Sequence, residues 1–132
     1  MVDRALSNQQ ISGLLLLCFE NERPLQGMIA HLDWRFDGHF SRLMKSQLIT
    51  GARGEVVYAP ILWNERTLHF LVIGGGMRDE SKARPESSRP LLIEALKKWD
   101  ELKIPDMALS RTDWEIEEEQ TEVKERKLCI VN

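Results

Sequence analysis

The chain is short of most features that announce a function. It has two cysteines among 132 residues, Cys18 and Cys129, too few for the disulfide framework of a small secreted scaffold. Each lies in an apolar run, so both are expected to be buried, reduced thiols. Basic side chains do not outnumber acidic ones: 18 against 21 gives a net charge of −3, and bulk attraction to nucleic acid is not expected. The apolar run Leu14 to Phe19 is far too short to span a bilayer, and the polar, charged segment Met1 to Gln10 does not read as a signal peptide. A cytoplasmic location follows as the expectation. The three histidines, His31, His39 and His69, lack metal-ligand spacing, and His-Glu-x-x-His, Cys-x-x-Cys and Gly-x-Ser-x-Gly are all missing. No catalytic residue, metal or cofactor is therefore assigned.

What is present reads as one soluble globular domain over residues 1–132, long enough to enclose a single core without staples. Residues 1–12 carry no apolar periodicity and are expected to form a loose arm. From Gly13 the run Leu14-Leu15-Leu16-Leu17-Cys18-Phe19 suits a strand covered on both faces. Leu25, Met28, Ile29, Leu32 and Phe36 recur at helical spacing, Asp37-Gly38 interrupts them, and Phe40, Leu43, Met44 and Leu48 make a second, shorter stripe. A strand from Glu55 to Pro60 follows, then a tight connection at Asn64-Glu65-Arg66 and a longer buried strand from Thr67 to Ile73. Leu92, Ala95, Leu96, Trp99 and Leu102 form the buried stripe of a third helix with Pro90 in its first turn, and Met107-Ala108-Leu109 is a short strand. Strands and helices interleave, which gives an α/β class: a mixed sheet with helices on both faces.

Three stretches invite a functional reading. Gly74-Gly75-Gly76 ends a buried strand, where backbone N–H groups of a glycine turn can approach a phosphate. The competing account is a turn that needs positive φ and close chain approach. The motif is neither the dinucleotide fingerprint nor a P-loop. Asp33, Trp34 and Arg35 put two charges around an aromatic, but successive helical positions diverge by about 100°, so Trp34 is expected to pack beside the stripe with the charges paired to neighbours. Residues 113–122 carry six carboxylates and no basic side chain, the pattern of a solvated surface segment, with Trp114 and Ile116 alternating as in an edge strand. Leu128 to Val131 reads as a terminal strand, and His69 as a hydrogen-bonded core or rim residue.

The segment Leu32-Asp33-Trp34-Arg35-Phe36-Asp37-Gly38, with Ser41-Arg42-Leu43, Gly51 to Gly54-Glu55 and Leu71-Val72-Ile73-Gly74-Gly75-Gly76, resembles the amino-terminal domain of the leucyl (cytosol) aminopeptidase family. The likeness covers roughly residues 13–109 and contains no catalytic signature. It implies a three-layer α/β/α, macro-domain-like fold, and it implies that the metallopeptidase chemistry belongs to a carboxy-terminal domain expected to be absent from this chain. The acidic segment and the last strand depart from the family pattern. The function expected on this basis is that of a non-catalytic module in protein association, through self-association or the oligomerisation or regulation of a peptidase. Two alternatives stand beside it: a module using Gly74, Gly75 and Gly76 to bind a nucleotide-like or other anionic small molecule, and a fragment of a full aminopeptidase.

Overall fold

A computed structural model describes residues 4, 6, 11–22, 24–77, 88–104, 106–114 and 129–131. Its elements are β1 (Gly13–Cys18), α1 (Gly27–Arg35), α2 (His39–Lys45), β2 (Val56–Tyr58), β3 (Ile61–Trp63), β4 (Arg66–Gly74), α3 (Ser88–Leu102), β5 (Met107–Ser110), α4 (Arg111–Trp114) and β6 (Cys129–Val131). The sheet runs β2-β4-β1-β5-β6, and β3 also pairs with β4. The neighbours β4-β1, β1-β5 and β5-β6 are parallel, whereas β2 and β3 run antiparallel to β4. The chain is thus an α/β domain with a mixed sheet.

Continuous apolar strands follow from burial on both faces. One face of β1 and β4, with Leu14, Leu16, Leu68, Phe70 and Val72, packs on Met28, Ile29 and Leu32 of α1 and Phe40 of α2. The opposite face, with Leu15, Leu17, Leu71 and Ile73, packs on Leu92, Ala95, Leu96 and Trp99 of α3. Topology dictates this division. The crossing from β1 to β4 runs one way along the sheet and the crossing from β4 to β5 runs back past β1. Right-handed crossovers in opposite directions put their helices on opposite faces.

The β2–β3 pair is one edge strand in a single register against β4, from Val56↔Ile73 to Trp63↔Arg66. Ala59 N–H donates to Phe70 C=O (2.7 Å), so the next position, Pro60, directs its missing N–H away from β4 and costs no ladder bond. Asn64 and Glu65 both have positive φ (49° and 64°), the two-residue hairpin turn whose twist matches the strands.

Some positions differ from the sequence reading, each for a local reason. Leu48 is 61% exposed and Ile49 takes the core position instead. Helix α2 stops early because Gln47 turns left-handed (φ 64°), and Leu48 N–H and Gln47 N–H close back on Leu43 C=O and Met44 C=O. Leu102 is exposed at the end of α3, where Lys103 also takes positive φ. The expected loose arm is anchored at two points. Leu6 and Ile11 lie in the core, and the Arg66 guanidinium donates to both their carbonyls, Nη1 to Leu6 (2.9 Å) and Nη2 to Ile11 (3.0 Å). Cys18 is a buried free thiol, as expected. Trp114 is helical rather than part of an edge strand, and it is buried. Residues 115–122, most of the acidic run, lie outside the described residues, as does Leu128; β6 pairs in parallel with β5. Among the described residues, no helix is long and apolar enough to cross a membrane.

Candidate interaction surface

The glycine turn at the end of β4 is closed by its own backbone. Gly74 N–H donates to Glu55 C=O (2.7 Å), Gly75 N–H to Cys18 C=O (2.8 Å) and Gly76 N–H to Gly51 C=O (2.8 Å), and Gly76 C=O accepts from Glu20 N–H. A cradle for an anion needs these N–H groups to converge on open space; here each is spent on a carbonyl. Crowding accounts for the residue type. A Cβ on Gly74 would lie 1.9 Å from Ala52 O, and one on Gly75 would lie 2.5 Å from the Phe19 ring. Glu55 completes this junction by accepting from Thr50 N–H, the Thr50 hydroxyl and Gly51 N–H. Burial pushes its carboxyl up, but these three hydrogen bonds outweigh that and hold it below its ordinary value.

The amino end of α1 is likewise filled from within. Asp113, on α4, accepts from Met28 N–H with Oδ2 (2.9 Å), and Gly27 (φ 72°) leaves room for it: a Cβ there would stand 2.7 Å from Oδ1. The carboxylate serves as the cap that Gln26 does not provide. The adjacent Trp114 is only 2% exposed and donates its indole N–H to Leu15 C=O (3.2 Å). In open α/β sheets this strand-end region is the common ligand crevice. Here Asp113 occupies it, while Trp114 packs in the core on the α3 side.

The opposite situation holds on the outer side of α1 and α2. A groove of about 820 Å³ lies there, lined by Leu25, Ala30, Asp33, Trp34, Asp37 and Met44 among others. Trp34 is 76% exposed, contrary to the expectation that it packs beside the apolar stripe. Helical geometry explains the difference: two residues beyond Leu32, Trp34 is rotated by about 200° from the buried face. That angle was legible in the sequence and is the signal that would have found it. The His31 ring lies 6.1 Å from the Trp34 ring, one turn earlier on the same helix.

The corner that carries Trp34 is locked. Asp33 accepts from Ser41 N–H (2.8 Å) and from the Ser41 hydroxyl, capping α2 from the neighbouring helix because its own cap, Gly38, has no side chain. Asp37 adopts positive φ (54°), Gly38 N–H closes on Asp33 C=O, and Arg42 donates through Nη1 to Asp37 C=O. Arg35 lies over the Phe36 and Trp63 rings at 5.9 and 5.4 Å. The pairing expected for Asp33 is thus met by Ser41. His39, beside this corner, has its pKa lowered by burial and by Arg42, with Asp33 opposing.

A second apolar surface lies where α3 stops short of the sheet edge. Tyr58, Val56 and Leu102 are exposed there, around a depression of about 490 Å³, and Leu62 of β3 is 78% exposed. His69, expected as a core or rim residue, is half-buried beside Tyr58. Its Nδ1 shares a hydrogen bond with the Tyr58 hydroxyl (2.6 Å), and burial followed by the Arg66 charge lowers its pKa.

No family model and no curated protein matches the chain. Among solved structures, a tomato leucine aminopeptidase mutant is similar in fold, with a TM-score of 0.53 and 18% identity over 76% of this chain. The matched region is 20% of that aminopeptidase chain, so the likeness is to one part of a much larger protein and is one of fold.

Proposed function

We propose that this chain is a non-catalytic module, related to the amino-terminal domain of leucyl aminopeptidases, that works in the cytoplasm by binding protein. The bound protein is either a second copy of the chain or a peptidase that it helps to assemble or regulate. One observation carries the reading: Trp34 stands 76% exposed on a corner whose backbone and side chains are fixed by Asp33, Ser41 and Arg42. Tryptophan is among the residues most enriched at the energetic centres of protein interfaces, and on a rigid frame little conformational freedom is lost on contact. The fold likeness to part of an aminopeptidase supports the choice of partner. The saturated glycine turn and the filled crevice weigh against the anionic-ligand alternative.

Sedimentation velocity tests the reading, with the purified chain alone over a range of concentrations and mixed with a leucine aminopeptidase. A faster boundary in either experiment is expected. A single monomer boundary in both would contradict the proposal.

A further inference from the structure

The groove beside Trp34 has a direction, and that direction specifies the chemistry of what it holds. At the corner end stand the exposed Trp34 ring and the carboxylates of Asp33 and Asp37. Arg35, between the two in the chain, has its guanidinium over the Phe36 and Trp63 rings, and Arg42 donates Nη1 to Asp37 C=O. Away from the corner the lining turns apolar, with Pro24, Leu25, Ala30 and Met44, and the one cation of the lining, Lys45, lies one helical turn beyond Ser41.

Resting on the association reading above, we propose that the groove takes a segment of a partner protein bearing an arginine or lysine beside an apolar residue. The basic side chain lies against Trp34 between Asp33 and Asp37, and the apolar residue lies on Leu25, Ala30 and Met44. Charge complementarity selects this occupant. A cation over an indole face gains from the ring quadrupole, and two carboxylates beside that ring strengthen the attraction while repelling an acidic segment. The frame costs little to organise, because Asp33 is already fixed by Ser41 and α1 by the turn at Asp37-Gly38.

Fluorescence anisotropy with two short dye-labelled peptides tests the proposal on the full chain. One peptide carries arginine flanked by leucines; the other has glutamate in place of the arginine. The basic peptide is expected to bind about tenfold more tightly at low salt, with the preference shrinking as salt is added. Asp37→Asn, which suits the left-handed backbone at that position, should reduce the preference, and Trp34→Ala should abolish binding of both peptides. Both side chains are exposed, so melting curves should show the two variants folded. Equal affinities, no binding of either peptide, or a preference that survives both substitutions would overturn the proposal. The two readings fail separately. Partner association lost in Trp34→Ala but without peptide charge preference would sink only this inference. Selective peptide binding by a chain that associates with neither itself nor the peptidase would sink only the association reading.

Discussion

The Gly74–Gly76 turn and the Asp33–Trp34 corner are both tightly hydrogen-bonded, but they face in opposite senses. At the turn, every N–H points to a carbonyl of the same fold, and neighbouring chain fills the space a side chain would need. At the corner, a comparable density of bonds leaves the largest side chain of the region in solvent. Order alone therefore does not mark a binding surface. The distinction is where the bonds end: closed on the protein at the turn, and holding an unsatisfied apolar face outward at the corner.

The sharpest way to break this contrast is at Gly74. A Cβ there meets the backbone of Ala52 at 1.9 Å, which no rotamer change can relieve. Gly74→Ala is expected to cost about 3 kcal/mol or more in urea denaturation. Gly75→Ala should cost less, roughly 1–2 kcal/mol, because the obstacle is the Phe19 ring, a side chain that can shift. Near-neutral results at both would show that the turn has room, and the case for a closed junction would lapse.

Asp113 comes next in size. Removing the carboxylate leaves Met28 N–H without its acceptor, so Asp113→Ala should lose about 1–2 kcal/mol, whereas Asp113→Asn, which retains an acceptor oxygen, should lose less. Equal losses for the two would place the effect outside the cap.

Glu55 gives a smaller, pH-dependent effect. Its folded pKa is held below the ordinary value, so its stabilising contribution is present above that value and fades as pH falls through the lowered one. Glu55→Gln should flatten part of the acid limb of the stability curve below about pH 4.5 and leave its pH dependence near neutrality unchanged. An unaltered acid limb would show that the Thr50 and Gly51 bonds do not favour the ionised form.

Much of this architecture was legible in residue spacing. The strands at 13–18 and 66–74 were plain because burial on both faces leaves uninterrupted apolar runs, and the stripe Met28-Ile29-Leu32 fixed the inner face of α1. The hairpin at Asn64-Glu65 was legible as a tight connection. Positions decided by distant parts of the chain were not. Nothing local in Asp113 says that it caps a helix 85 residues earlier, and nothing in an acidic run says that Trp114 lies in the core. The glycine turn was ambiguous for the same reason: three glycines serve a phosphate or a crowded junction equally well until Phe19, Gly51 and Ala52 are placed beside them. Trp34 was a different kind of miss. Its angle around the helix was available, but a tryptophan next to an apolar stripe reads readily as core.

The most direct test of the account is to replace Trp34 and measure two quantities on the same sample, melting temperature and association by sedimentation. If Trp34 is a contact surface and no part of the core, Trp34→Ala should change stability by no more than about 0.5 kcal/mol while removing the faster-sedimenting species. A large drop in melting temperature, or association that persists in a well-folded Trp34→Ala protein, would contradict it.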